Sequence, residues 1–459
     1  MIPLTLAQIA QAVDGELMDV IDPEIVVTSV VSDSRDVTTG SLFVAIRGER
    51  VDGHDFANEV IAAGAVALLA SRPTGQPAIV VADPVLALGA LAKYALTLLP
   101  ECKVVAITGS SGKTSTKDLI AQICASVGPT VAPKGSLNTE VGVPLTVLSA
   151  DVNTRVLVLE MGMRGIGHIA YLTQIAQPDV AVVLNIGSAH VELLGSREAI
   201  AAAKGEIFAG LREGGIAIVN GDDQYALDAA RGASALTFGE SLGCAVRATD
   251  VRLDDQARPS FTLRYHEAAE PVTLKLHGEH FISNALAAAS VGVALGVPLS
   301  VIADVLRAAK LESKWRMEVH QAPSGVTVIN DAYNANPESM RAALKALTAM
   351  AAGRRSWAVL GEMRELGAMS LEEHDAIGRL VVRLDVSRLI AVGEGARAVH
   401  LAAAHEGSWG NESMWVATTD EALEVLRGEL QPDDVVLVKA SRASGLDVIA
   451  TALCEEGAA

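Results

Sequence analysis

The chain has 459 residues, enough for about three domains. Half of it is hydrophobic but only 3% is aromatic, so its cores must be packed from Ala, Val, Leu and Ile. A formal net charge of −19 argues against nucleic acid as a partner, because phosphate-backbone binding calls for a basic surface; local Lys, Arg and Mg²⁺ can still hold an anionic nucleotide.

Cys102, Cys124, Cys244 and Cys454 are far apart and form no CxxC pair, so they read as reduced thiols of a cytosolic protein. The N-terminus lacks the basic region and long apolar core of a signal peptide. The longest apolar stretches, 85–99 and 285–299, are broken by Lys93 and by Gly292, Gly296 and Pro298, and fall short of a membrane span. The expectation is a cytoplasmic, monomeric protein that engages no membrane.

In chain order, residues 1–100 read as a small α/β domain. A helix is expected over Leu4 to Val13, capped by Thr5, then strands at Ile25 to Val31 and Leu42 to Ile46, a helix at Asp55 to Ala63, and strands at Ala65 to Leu69 and Ile79 to Val81. The polar clusters Asp33-Ser34-Arg35 and Asp52-Gly53-His54 fall just outside these elements, where ordinary turn chemistry also accounts for them. Residues 101–312 alternate strand and helix, with β-branched runs at Val156 to Leu159, Val180 to Leu184 and Ile216 to Val219, which predicts a mostly parallel sheet. Short antiparallel strands are expected over Val246 to Leu276, and a helix over Ser283 to Leu295. Residues 313–459 form a second alternating unit, with strands at Val326 to Ile329, Trp357 to Leu360, Leu389 to Val392 and Val435 to Val438. This unit reads as Rossmann-like, but it lacks the G-x-G-x-x-G fingerprint, so NAD is not inferred. The fold class is therefore α/β, in three domains.

The most informative stretch is Val104-Val-Ala-Ile-Thr-Gly-Ser-Ser-Gly-Lys-Thr-Ser115. A buried strand runs through a Gly/Ser turn into a helix beginning near Lys113, which gathers free backbone N–H groups and the positive end of a helix dipole at one point. Gly109 and Gly112 let the backbone approach phosphate, Lys113 reaches a terminal phosphate, and the Thr114 hydroxyl can hold Mg²⁺. The usual P-loop has a glycine where this chain has Ile107; here the pattern is TGxxGKT. Ligands of such sheets gather beyond the strand C-termini, and Glu160, Asn185 and His190 fall there.

Further segments follow in order: Gly-Ser-Leu-Asn-Thr-Glu-Val-Gly-Val-Pro at 135–144, Leu-Glu-Met-Gly at 159–162, Asn-Ile-Gly-Ser-Ala-His at 185–190 and Ala-Ala-Lys-Gly-Glu-Ile at 202–207. After them come Gly-Glu-His-Phe-Ile-Ser-Asn-Ala at 278–285, Trp-Arg-Met-Glu at 315–318 and Asn-Asp-Ala-Tyr-Asn-Ala-Asn-Pro at 330–337. Together they resemble the Mur ligase family, ATP-dependent ligases that build the peptidoglycan stem peptide, over nearly the whole chain. The 33–48 segment with Asp52 to Phe56, the 331–337 segment, and Gly361 to Gly367 with His374 look like the member that joins D-alanyl-D-alanine to a UDP-N-acetylmuramoyl-tripeptide. The Asp-Asn-Pro-Arg motif of diaminopimelate-adding ligases is not found.

The resemblance implies amide ligation through an acyl phosphate, with ATP and about two Mg²⁺. It assigns Lys113 to the β/γ-phosphates and, with it, the loop residues Gly109, Ser110, Ser111, Gly112, Thr114 and Ser115 to ATP. Thr114, Glu160 and His190 would hold metal, as would Lys204 once carbamylated; Lys113, Glu160, His190 and Lys204 form the expected catalytic group. Asn284 would lie near adenine, and Arg316 and Asp331 would complete the ATP site. Ser34, Arg35, Asn138 and Thr139 would contact the UDP-sugar. Blander readings stand beside three of these: a solvated surface charge for Lys204, a loop hydrogen bond for His190 and a helix N-cap for Asn284. Competing functions are another Mur-type ligase, a folylpolyglutamate synthase, a P-loop kinase or NTPase, and a non-catalytic relative.

Overall fold

The structure is a computed structural model, and it describes residues 1–48, 50–189, 191–407 and 412–455. Val104 and Ala106 alternate with Val105 and Ile107 along the strand Lys103–Thr108, so the two sets point to opposite faces of their sheet. All four are buried, which places this strand inside a sheet covered on both sides. Its neighbours are the parallel strands Val156–Glu160 and Val180–Val183. The sheet extends through Ile216–Asn220 and Ala235–Gly239 to Val246–Leu253, Pro259–Tyr265 and Ala268–Thr273, and the pairings among these last three are antiparallel. With Thr130–Val131 at the other edge it has nine strands.

Each face of this central sheet shares its core with a different flanking unit. Val105, Ile107, Val158 and Val182 pack with the helices Lys113–Cys124 and Phe281–Ala294, and this cluster runs on through Met340, Leu344 and Leu347 of the helix Pro337–Ala351 to Ile329, Leu360 and Leu437. The opposite face, with Val104, Ala106, Leu157 and Leu159, meets Leu88 and Leu91 of the helix Pro84–Thr97 and continues to Leu42, Leu69 and Ile79. Beyond the first face lies a six-stranded sheet ordered Glu318–Gln321, Thr327–Asn330, Val435–Lys439, Ser356–Leu360, Arg388–Val392 and Ser413–Val416, parallel except for its first strand. Beyond the second lies a five-stranded sheet ordered Glu16–Met18, Ala78–Val80, Ala65–Ala70, Ser41–Val44 and Ser29–Val31. The class is α/β with mostly parallel sheets, as the sequence predicts. Among the described residues, no helix is long and apolar enough to cross a membrane.

The first 100 residues differ in detail from the sequence reading. The expected strand over Ile25 to Val31 divides at Thr28, whose N–H bonds to the Gly40 carbonyl; Val26–Val27 pairs with Leu4–Thr5, and Ser29–Val31 with Ser41–Val44. The first helix starts at Leu6, because Thr5 and Gln8 close a capping box. The helix expected from Asp55 begins as a 3₁₀ turn, Gly53–Phe56, and is α-helical only over Ala57–Ala62. Residues 84–97, read only as an apolar stretch, form a helix capped by Asp83, which accepts from the amides of Val85 and Leu86.

Candidate active site

Register brings the chemistry together. Glu160 lies opposite Ile107, and Val183 opposite Thr108, so three parallel strands end on one edge of the sheet. The turn 109–112, Glu160 and Asn185 project from that edge. Gly112 has φ +77°, and a Cβ there would lie 2.7 Å from Asn284 Oδ1, so both backbone and space require glycine. The helix Lys113–Cys124 starts immediately after it, and its first amides have no intrahelical acceptor. Asn185 fastens the turn: its Oδ1 accepts from the amides of Ser110 (3.1 Å) and Ser111 (2.9 Å).

Thr114 is the centre of a polar junction. Its hydroxyl donates to Glu160 Oε2 at 2.8 Å and accepts from Arg316 Nη2 at 2.8 Å. Glu160 is buried, and its Oε1 accepts from Ser136 (2.9 Å) and Asn138 (2.7 Å). Arg316 stacks on Tyr333, 4.3 Å from the ring centroid. It lies between two residues in the left-handed region, Trp315 (φ 59°) and Met317 (φ 50°). Such conformations cost on the order of 1–3 kcal/mol each and persist only where neighbours hold them. Met317 donates its N–H to Asp331 Oδ1 at 3.1 Å, and Asp331 Oδ2 pairs with buried Lys439 at 2.5 Å.

Two lysines meet behind the turn. Lys113 Nζ donates to the Gly109 carbonyl at 2.7 Å, and Lys204 Nζ donates to the same oxygen at 3.1 Å. Lys204 is buried, which holds its amine well below the usual lysine range, and the nearby Lys113 charge lowers it further. Burial also lowers Lys113; Glu160 works against that shift.

Over this edge opens a cavity of about 760 Å³. It is lined by residues of all three units: Leu86 from the first, Lys113 and Glu160 from the second, and Asp331, Glu338 and Lys439 from the third. Asn284 Nδ2, Arg316 Nε and Glu338 Oε2, all on cavity-lining residues, are buried without a partner. Buried polar atoms without a partner are costly, so a bound polar ligand is the natural complement.

Family models match three stretches of the chain: Mur ligase family, catalytic domain, at residues 26–94; Mur ligase middle domain at 107–292; and Mur ligase, glutamate ligase domain, at 315–442. A protein of Mycobacterium bovis named UDP-N-acetylmuramoyl-tripeptide–D-alanyl-D-alanine ligase is 46% identical over 99% of this chain and 98% of its own length. The chain belongs to the Mur ligase family. A protein of the same name from Escherichia coli is 36% identical across the full length of both chains. The MurF structure from Acinetobacter baumannii superposes with a TM-score of 0.89 at 34% identity, covering 99% of each chain. MurF from Thermotoga maritima, solved in complex with ADP, superposes at 0.78 with 29% identity, covering 94% of this chain and 97% of its own.

In this Mur ligase the cavity walls include Ser110 to Ser115, Asn138, Thr139, Glu160, Asn284, Arg316 and Asp331. Gly109 and Lys204 stand behind the wall, joined through the Gly109 carbonyl. Ser34 and Arg35 do not line it: they form a 3₁₀ turn with Asp36, and Arg35 is 86% exposed and paired with Asp33 at 2.5 Å. That guanidinium holds the Asp33 carboxyl down at about 2. His190 lies outside the described residues. Two of the blander readings fail on geometry. Asn284 is the fourth residue of its helix rather than its cap, and Lys204 is enclosed rather than solvated, because Ile200, Ala201, Ala203 and Ile207 turn that helix face into the core. Sequence reasoning missed Ser136, Tyr333, Glu338 and Lys439 as cavity residues, although Ser136 and Tyr333 sit within the segments 135–144 and 330–337 that it singles out.

The donors fit a hard cation. Glu160 and Thr114 offer oxygen, the ligand type Mg²⁺ prefers. Among the described residues no three His, Cys, Asp or Glu side chains form a metal-holding group. Phosphate oxygens and water would supply most of the coordination shell.

Proposed function

We propose that this Mur ligase joins D-alanyl-D-alanine to a UDP-N-acetylmuramoyl-tripeptide using ATP, in cytoplasmic peptidoglycan precursor synthesis. Full-length similarity to relatives named for that reaction supports the substrate pair. One observation carries the chemistry: Thr114 of the phosphate-binding turn is held between Glu160 of the central sheet and Arg316 of the segment leading to the third sheet. Such a junction serves phosphoryl transfer rather than a bland turn.

The reading divides the chain into 1–100 for the UDP-sugar, 101–312 for ATP and 313–459 for closure over the amine. The separate sheets and the cavity walled by all three support this division. A tripeptide carboxylate oxygen attacks the γ-phosphorus, the bond to ADP breaks, and an acyl phosphate forms. The dipeptide amine then attacks the acyl carbon, and phosphate leaves with the former carboxylate oxygen as the amine sheds a proton.

Lys113, Arg316 and the helix amides stand where charge builds on the transferred phosphoryl group. Ser110, Ser111 and Ser115 border the phosphates, Asn284 and Asp331 the nucleoside, and Asn138, Thr139, Ser34 and Arg35 the UDP-sugar. Mg²⁺ bound by Thr114, Glu160 and His190 would neutralise phosphate charge. Lys204, whose amine burial pushes well below the usual lysine range, is the group that CO₂ would convert to a carbamate anion.

The test is ADP release with UDP-muramoyl-tripeptide, with and without D-alanyl-D-alanine. Sustained release only with both substrates is expected; equal release without the dipeptide would indicate a kinase or NTPase.

A further inference from the structure

The helix after the phosphate-binding turn carries two charged residues that none of these roles uses. Lys117 and Asp118 are both buried and pair at 2.6 Å. A buried pair stabilises poorly against an apolar substitute, so its contacts show what it secures. Asp118 Oδ2 accepts from the amides of Glu312 (3.1 Å) and Ser313 (3.0 Å), and its Oδ1 accepts from the Ser313 hydroxyl at 3.2 Å. Lys117 Nζ donates to Ser313 Oγ (3.3 Å) and to the Pro133 carbonyl (2.7 Å). One turn on, Gln122 bonds both the amide and the carbonyl of Lys310.

Residues 310–313 are therefore tied to the helix at several points, and the chain then enters the left-handed positions 315 and 317. The far end is held the same way: Asp331, paired with buried Lys439, accepts the Met317 amide, and the Trp315 carbonyl accepts from the Tyr333 amide. Between these two anchors Arg316 reaches back to Thr114.

We propose that Asp118, with Lys117 and Ser313, is a positioning group: it fixes the start of the 313–317 strap so that Arg316 is delivered to Thr114 and the phosphates. Asp118 itself is not among the residues that line the cavity. Only the identity of the ligand at Arg316 rests on the ligase reading.

The test is a double-mutant cycle read by affinity for a fluorescent ATP analogue, with ADP release alongside. Asp118→Asn should weaken analogue binding by about tenfold and Ser313→Ala by about threefold, while the KM for the UDP-substrate stays within about twofold. In an Arg316→Ala background, neither change should weaken binding further by more than about twofold, because the path they act through is already gone. The proposal is overturned if either substitution costs the same factor with and without Arg316, or if a folded Asp118→Asn protein binds like the parent. Should Asp118→Asn fail to fold, the Ser313→Ala arm decides, since it removes only a hydroxyl and leaves the ion pair whole. A parent that binds the analogue but releases no ADP with the tripeptide and D-alanyl-D-alanine both present would sink the ligase reading and leave the cycle readable.

Discussion

Lys113 and Lys204 donate to one and the same oxygen, the carbonyl of Gly109, at 2.7 and 3.1 Å. Two charged amines on one acceptor repel, and Lys204 is the more deeply enclosed, so its amine is the one pushed well below the usual lysine range. Its folded-state pKa is lowered, so the unfolded chain binds the extra proton. The penalty on stability is then present at neutral pH and is relieved only as pH rises through the ordinary lysine range. Lys204→Met should therefore raise stability in CO₂-free buffer at pH 7 by about 1–3 kcal/mol while abolishing turnover. Thermal melts beside ADP release check this; a less stable or still active Lys204→Met would contradict the role given to the amine.

Glu160 is a buried carboxylate whose two oxygens take three hydrogen bonds, from Thr114, Ser136 and Asn138. Glu160→Gln keeps the shape and removes the charge. Turnover should fall at least about 100-fold, or about 2.7 kcal/mol of barrier, and the Mg²⁺ concentration for half-maximal rate should rise. The melting temperature should hold or increase. An unchanged Mg²⁺ requirement would mean that Glu160 is not a metal ligand.

Arg35 is exposed and paired only with exposed neighbours, so its ion pair contributes little to the fold. Arg35→Ala should leave the melting temperature unchanged. If the turn reaches the UDP-sugar, the KM for that substrate should rise several-fold and the KM for ATP should not. An equal rise in both would show that the turn does not read the UDP-sugar.

His280 is half-buried, its Nδ1 is buried without a partner, and burial holds its pKa down at about 4 despite Asp331 nearby. The neutral ring is the folded form, so the unfolded chain binds the proton first and stability falls as pH drops from about 6.5 toward 4. Allowing for its partial exposure, the loss is about 2 kcal/mol by pH 4. His280→Gln should flatten that part of the stability–pH curve, measured by urea unfolding at pH 7 and pH 4.5. Parallel curves for parent and variant would place the acid sensitivity elsewhere.

Much of this architecture could be read from local pattern. The strand over 104–107, the Gly-Lys-Thr turn and the alternation through residue 438 are short-range signals, and the structure keeps them. The edge strand Glu318–Gln321 could not be read, since a partly exposed strand with Glu, His and Gln carries no apolar run, and the Met-Trp-Val run of the edge strand Ser413–Val416 is too short to stand out. Nor does sequence reveal the enclosure of Lys204: an alanine-rich helix packs on more than one side, so the buried face is set by Ile200, Ile207 and what lies opposite. The Asp118–Ser313 contact joins residues 195 apart, a distance no local period can encode. The site was legible as a set of motifs, while its supports are tertiary.

The central claim is that the tripeptide carboxylate is activated by phosphorylation before the amine attacks. Tripeptide labelled with ¹⁸O in its terminal carboxylate, turned over with ATP and D-alanyl-D-alanine, tests it most directly. Mass spectrometry should find one ¹⁸O in each inorganic phosphate released, because phosphate departs with the oxygen that attacked. Unlabelled phosphate alongside formed amide would contradict the account.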